Sequence, residues 1–111
     1  MANPYTPDFY AHHAQAAFES AKRIMPLVLD LIPAGSILDV GCGVGAFLCA
    51  AREAGVSDVT GIDGDYVDRS QLMIPSERFH AVDLAKGFDL RRSFDLAISV
   101  EVAEHLSKDL S

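Results

Sequence analysis

The fold is decided by the stretch ILDVGCGVG, residues 37–45. Its first four residues read as a buried strand, and three glycines alternate over the five positions that follow, at Gly41, Gly43 and Gly45. Glycines in that place let the backbone turn tightly and let a ligand come close to it. A plain strand-to-helix turn is the simpler alternative, but this glycine spacing directly after a strand favours a ligand-binding loop.

Short apolar runs alternate with helical segments on the C-terminal side of this loop. The runs occupy residues 36–40, 58–63, 78–83 and 94–100, and the helical segments residues 45–54, 66–73 and 101–106. This alternation predicts an α/β fold with a doubly wound, Rossmann-like parallel sheet. Gly55 stands where a helix C-cap belongs. The connection from Asp83 to Phe94 is short for a crossover, so any helix there is expected to be brief or absent.

The N-terminal segment has helix signals of its own. Thr6-Pro7-Asp8 supplies a cap, a proline suited to the first helical position and an acid in the first turn, so a helix is predicted from Pro7 onward. Pro26 is expected to kink or divide this helix, and residues 33–35 (Pro-Ala-Gly) to end it. Residues 1–32 are therefore interpreted as an N-terminal helical layer.

Composition narrows the class of protein. The chain of 111 residues is 50% hydrophobic, which indicates one small globular domain. Nine basic against sixteen acidic residues give a net charge of -7, which disfavours nucleic acid as a partner. Cys42 and Cys49 have no metal-binding spacing, the N-terminus does not read as a secretory signal, and no apolar run approaches the roughly 20 residues of a membrane span. These features predict a cytoplasmic protein with no membrane partner.

Two kinds of ligand fit the glycine loop. An NAD-type dinucleotide is one, because Gly41, Gly43 and Ala46 satisfy the dinucleotide fingerprint and Asp63 follows at about the required distance. Asp39 weighs against it, since a carboxylate at the strand end would repel a pyrophosphate but would accept an amino group directly or through water. The ligand is therefore expected to be cationic at that end.

The stretch ILDVGCGVGAF, residues 37–47, resembles the glycine-rich first motif of class I S-adenosylmethionine-dependent methyltransferases, and the match extends over residues 34–106. The resemblance implies that residues 33–111 form the cofactor-binding half of a methyltransferase domain. It also implies a sheet truncated at four of seven strands, in the order 3-2-1-4, with residues 94–100 as an open edge suited to self-association. The implied S-adenosylmethionine-binding residues are Asp39, Gly41, Cys42, Gly43, Gly45, Asp63 and Asp83.

Within that resemblance, Asp63 would hold the ribose hydroxyls and Asp83 the adenine amino group. A carboxylate accepts two hydrogen bonds from a vicinal diol and one from an exocyclic amine, so both assignments agree with the chemistry. The alternatives are that Asp63 caps the next helix and that Asp83 is an ordinary turn residue. Asp65 and Tyr66 either flank the adenosine or have capping and packing roles.

A second group of polar residues follows the fourth strand. Spacing of three and four residues brings Glu101 near Glu104 and His105 on a helical surface, which suits a divalent metal such as Mg or Mn. The Glu-x-x-Glu-His pattern resembles the metal motif of small-RNA 3′-terminal ribose methyltransferases and a related motif in ubiquinone-pathway O-methyltransferases. His105 is also a candidate catalytic general base. The alternative is that the acids complement the helix dipole and the imidazole is solvated.

The function that these features favour is methyl transfer from S-adenosylmethionine to a small-molecule acceptor by a longer form of the protein. The present chain would supply the cofactor site and would be inactive alone, because substrate loops in this family come largely from later strands. Three alternatives stay open. They are a non-catalytic cofactor-binding or interaction fragment, a metal-dependent RNA 3′-terminal ribose methyltransferase, which the charge disfavours, and an NAD-binding Rossmann domain.

Overall fold

A four-stranded parallel sheet forms the centre of the fold. The computed structural model describes the backbone of residues 7–100 and the side chains of residues 14–100. The strands lie in the order β3-β2-β1-β4, which confirms the predicted order and the α/β class. They are β1 (Ser36–Val40), β2 (Asp58–Asp63), β3 (Phe79–Ala81) and β4 (Leu96–Ile98).

Helix α2 (Ala46–Glu53) packs against β1 and β2, and α1 (Pro7–Leu31) packs against α2. Helix α1 begins at Pro7 as predicted, but Pro26 lies inside it and does not divide it. Met25 and Leu29, on either side of that proline, both pack into the core, and this packing holds the two parts of the helix in one element. Within residues 7–100, no helix combines the length and apolarity that a membrane crossing requires.

The C-terminus of α2 ends as the sequence predicts. Gly55 has a φ of 110°, a left-handed conformation that an L side chain rarely adopts. Its N–H donates to the Arg52 carbonyl at 3.1 Å, and the N–H of Val56 donates to the Ala51 carbonyl at 3.0 Å. This pair of bonds is a Schellman motif, and it returns the chain to the sheet at the start of β2.

The connection between β2 and β3 differs from the prediction. A helix was expected over residues 66–73, but the structure has only short 3₁₀ turns, at Arg69–Gln71 and Ser76–Arg78. The Asp68 side chain accepts bonds from both the N–H and the hydroxyl of Ser70, so it caps a single tight turn. The N–H of Met73 then donates to the Val44 carbonyl at 2.7 Å rather than to a helical turn.

Side chains tie the amino edge of the sheet together. Asp95, just before β4, accepts the Gly35 N–H at 2.8 Å, and its own N–H donates to the Ser36 hydroxyl at 2.9 Å. Asp58, at the start of β2, pairs with Arg92 at 2.8 Å and with Arg78 at 3.4 Å. No helix forms in residues 82–95, which agrees with the prediction that a helix in this connection is brief or absent. Arg92 and Asp95 hold the connection at the amino edge of the sheet.

Candidate ligand site at the carboxyl edge of the sheet

The glycine loop folds back over the end of the neighbouring strand. The N–H groups of Gly41 and Cys42 both donate to the Ile62 carbonyl, at 2.8 and 3.1 Å. This extends the pairing of β1 with β2 past the last residue of β1. The loop is therefore fixed to the carboxyl edge of the sheet, where ligands of open α/β sheets bind.

Two glycines of the loop have different surroundings. Gly45 has a φ of 89°, a conformation that favours glycine, and a Cβ there would lie 3.1 Å from Ile74, which is closer than an ordinary van der Waals contact. Gly43 has a φ of 57°, but a Cβ there would meet no atom of the described residues within 4 Å. The loop is packed against the protein at Gly45 and faces open space at Gly43.

Asp63, the last residue of β2, lies at the centre of the site and is only 4% exposed. Its Oδ2 accepts the Gly43 N–H at 2.8 Å. Its Oδ1 accepts the Gly64 N–H at 2.8 Å and also the hydroxyl of Tyr66. One buried carboxylate thus joins the glycine loop, the end of β2 and the turn that follows β2.

Tyr66 combines an exposed ring with a hydroxyl that is bonded to Asp63. The residue is 80% exposed, and its ring lies so close to Gly64 that a Cβ there would be 2.2 Å from it. Partial burial of the hydroxyl, with the hydrogen bond to Asp63 and the charge of that carboxylate, raises the pKa of Tyr66 to about 12. The hydroxyl is therefore protonated, and can donate, at neutral pH.

Asp83 lies two residues beyond the end of β3, beside an open cavity of about 610 Å³. The N–H of Val82 donates to the Asp63 carbonyl at 2.8 Å, which holds the two strand ends together. Asp83 itself is exposed, and its Oδ1 accepts the Ala85 N–H at 3.0 Å in an Asx turn. The cavity is lined by Gly64, Asp65, Tyr66, Ala81, Val82, Asp83, Leu84 and Ala85.

The two remaining candidates, Asp39 and Cys42, are both buried. Asp39 lies in β1 between Gly61 of β2 and Ile98 of β4, and it is 2% exposed. The Cys42 thiol donates to the Gly43 carbonyl at 3.3 Å. It fits there because Gly61 has no side chain, since a Cβ at Gly61 would lie 2.6 Å from the Cys42 sulfur. The side chain of Cys42 therefore has a packing role.

The predicted metal ligands Glu101, Glu104 and His105 lie outside the described residues. In the part of the chain that is described, no group of three or more His, Cys, Asp or Glu side chains is arranged to hold a metal ion. The candidate general base, His105, likewise stays a prediction from sequence.

The bond between Tyr66 and Asp63 was not foreseen, although Tyr66 was a candidate for the adenosine pocket. A signal for it is present in the sequence Asp-Gly-Asp-Tyr, residues 63–66. A glycine-containing turn brings its fourth residue back toward its first, and only a tyrosine at that position offers a long side chain ending in a hydroxyl donor. The turn and the donor together predict a contact with Asp63.

Comparisons with known proteins agree with this geometry. A family profile described as a methyltransferase domain matches residues 10–110. The structure is similar to that of CalS10 with SAM bound, an amino pentose methyltransferase from Micromonospora echinaspora involved in calicheamicin biosynthesis. The TM-score is 0.61 and the identity 26%, over 93% of this chain and 45% of CalS10.

A second solved structure, YjhP from E. coli, has a TM-score of 0.52 and 29% identity, over 93% of this chain and 40% of YjhP. The chain thus spans less than half the length of either protein. No curated protein matches it. The family match covers nearly the whole sequence, and a glycine loop joined to a buried acid at the end of β2 accompanies it, so the chain belongs to the class I S-adenosylmethionine-dependent methyltransferase family.

Proposed function

We propose that this chain binds S-adenosylmethionine at the carboxyl edge of its sheet, and that its longer form transfers the methyl group to a small-molecule acceptor. The observation that carries the proposal is the bond from the Gly43 N–H to Asp63. This bond places a glycine turn, which a ligand can approach closely, next to a carboxylate. The carboxylate can accept hydrogen bonds from hydroxyl groups. This combination suits the amino acid and ribose parts of S-adenosylmethionine.

The residues of the edge fit the parts of the cofactor in chain order. The backbone of Gly41, Cys42, Gly43 and Gly45 would cradle the amino acid part, with open space above Gly43, and Asp39 would attract its amino group. Asp63 would accept the ribose hydroxyls. Asp83, beside the 610 Å³ cavity, would accept a hydrogen bond from the adenine amino group. Its Asx turn uses Oδ1 as the acceptor of the Ala85 N–H, which leaves further acceptor capacity on the carboxylate.

S-adenosylmethionine supplies a methyl group on a sulfonium when it is bound. The residues of this chain bind and orient it, and no nucleophilic side chain is needed. Much of the rate would come from holding donor and acceptor roughly 3 to 3.5 Å apart. His105 as a base, and Glu101, Glu104 and His105 as ligands of Mg or Mn, stay part of the proposal.

The acceptor is proposed to be a small molecule, because CalS10 is an amino pentose methyltransferase. Residues 33–111 would then be the cofactor half of the domain, and residues 1–32 a helical layer beside it. Since the chain spans 45% of CalS10, the parts that recognise the acceptor are proposed to lie in the longer form.

The proposal is tested by isothermal titration of the chain with S-adenosylhomocysteine. We expect binding of one equivalent, and a loss of about 50-fold or more in affinity for Asp63→Ala, because two hydrogen bonds to a charged group are lost. Glu53→Ala is the matched control, since it removes one exposed acid from the C-terminal end of α2. It should leave the affinity within twofold.

Circular dichroism on each variant establishes that it is folded. A folded chain that binds no S-adenosylhomocysteine, or an Asp63→Ala variant that binds as tightly as the wild type, would overturn the proposal. NADH titrated in parallel should give no heat. Repeating the titration with magnesium or manganese tests the metal, because a metal at Glu101, Glu104 and His105 should bind to the wild type and not to His105→Ala.

A further inference from the structure

We infer that the hydroxyl of Tyr66 and the ribose of the cofactor compete for the same oxygen of Asp63, so that Tyr66 limits cofactor affinity and must turn away when the ribose binds. The inference rests on the proposed function, because it takes Asp63 as the ribose-binding acid. It adds a positioning residue that regulates access to that acid.

Asp63 can accept only a limited number of hydrogen bonds. A carboxylate has roughly four acceptor sites, two on each oxygen. In this structure Oδ1 accepts from Gly64 and Tyr66, and Oδ2 accepts from Gly43. One site is left, on Oδ2. A ribose presents two neighbouring hydroxyl groups, so one existing donor has to leave before both can bond.

Of the three donors to Asp63, Tyr66 is the one that can leave most easily. Gly43 and Gly64 donate from the backbone, and the glycine loop is fixed by the bonds from Gly41 and Cys42 to the Ile62 carbonyl. Tyr66 donates from a side chain that is 80% exposed. Turning this side chain outward costs little packing, whereas moving either backbone donor would disrupt the loop or the end of β2.

The ribose hydroxyls can replace the Tyr66 hydroxyl as donors to Asp63. Asp63 is 4% exposed, and a buried carboxylate needs hydrogen-bond donors to offset its lost hydration. In this structure the Tyr66 hydroxyl is one of these donors to Asp63. The ribose hydroxyls would be the donors once Tyr66 has turned away. Tyr66 also lines the 610 Å³ cavity beside Asp83, so it stands next to the space proposed for the adenosine.

The test compares the wild type with Tyr66→Phe, which keeps the ring and removes only the hydroxyl. Isothermal titration with S-adenosylhomocysteine should show roughly three- to tenfold tighter binding for the variant, the scale of one hydrogen bond. For the 2′,3′-dideoxy analogue, the affinities of the wild type and Tyr66→Phe should differ by less than twofold, because that ligand has no ribose hydroxyls to donate to Asp63. Comparison of the two ligands separates the competition from any general change in the site.

Two results would overturn the inference while leaving the proposed function intact. One is binding of S-adenosylhomocysteine that depends on Asp63 but is unchanged or weaker in Tyr66→Phe. The other is an equal gain for both ligands. A folded chain that binds neither ligand, as wild type or variant, removes the proposed function and this inference with it. Thermal unfolding of Tyr66→Phe, expected within a few degrees of wild type, checks that the fold is retained.

Discussion

The Gly43 N–H lies 2.8 Å from Asp63 Oδ2, so the loop after β1 and the end of β2 are joined by a side chain as well as by the sheet. Asp63 also holds the turn after β2 through Gly64. The shape of the glycine loop and the position of the buried acid are therefore coupled. A substitution in the glycine loop is therefore expected to affect the position of Asp63, and a substitution of Asp63 to affect the loop.

This coupling predicts that Asp63→Asn destabilises the chain itself. An amide offers one acceptor oxygen, and its NH₂ group would face N–H donors where the carboxylate had accepted them. We expect the free energy of unfolding to fall by about 1–3 kcal/mol in a urea titration. Amide hydrogen exchange at Gly43 and Gly64 should become faster. Asp65→Asn, at the exposed neighbour, should change stability by less than about 0.5 kcal/mol.

A second prediction concerns the close approach of Gly61 and Cys42. Gly61→Ala would place a Cβ 2.6 Å from the Cys42 sulfur, and overpacking of this kind costs about 1–3 kcal/mol of unfolding free energy. Cys42→Ala removes that sulfur, so the double variant should recover part of the loss. Additive effects of the two substitutions in urea unfolding would contradict the contact.

A third prediction compares two glycines that both have left-handed backbones. Gly45→Ala adds a contact with Ile74 at 3.1 Å to the strain of a positive φ, whereas the new Cβ of Gly55→Ala meets no atom within 4 Å in the part of the chain that the structure describes. Both should destabilise by about 1–2 kcal/mol through backbone strain, and Gly45→Ala by more. Ile74→Val should reduce the difference. If the two glycine variants lost the same unfolding free energy, the contact with Ile74 would contribute nothing to the destabilisation.

The amino edge of the sheet predicts a dependence of stability on pH. The hydrogen bond from Arg92 to Asp58, with the charges of Arg92 and Arg78, lowers the pKa of the Asp58 carboxyl. A group whose pKa is lower when folded stabilises the fold above its unfolded pKa of about 4, and this stabilisation is lost as the pH falls through the folded pKa. Because the pair is partly exposed, its contribution should be no more than about 1 kcal/mol.

Unfolding of the wild type and Asp58→Asn is compared between pH 6 and pH 2 to measure this contribution. The stability of the two proteins should differ at pH 6 and converge toward the acid end. High salt should shrink the difference at pH 6. A gap that stays constant with pH would mean that Asp58 acts through packing rather than through its charge.

Much of the fold could be predicted because its elements are specified locally. The first two strands have the predicted bounds, 36–40 and 58–63, since each is an apolar run with a clear turn on both sides. The segment 66–73 could not be predicted by the same reasoning. Its pattern resembles a helix, but Asp68 closes a single turn and Met73 bonds to the glycine loop, a contact that only the tertiary fold supplies.

The sequence was enough to predict which residues of the site lie at the same edge of the sheet. Parallel strands bring their carboxyl ends together, so the loop after β1, Asp63 and Asp83 had to be neighbours once the strand order was known. The bonds of Asp63 to Gly43 and Tyr66 depend on turn geometry and side-chain rotamers, which residue spacing does not specify. The sequence therefore indicated the acid but not the donors around it.

The position of β4 next to β1 has a consequence for synthesis of the protein. The bond from Gly35 to Asp95, beside this strand pair, spans 60 positions of sequence. At about 5–20 residues per second, a ribosome needs roughly 3 to 12 seconds to add that length. During this time β1, whose three central residues are buried in the folded protein, lacks its partner strand on one side, so a chaperone that covers residues 36–40 should raise the yield of folded protein.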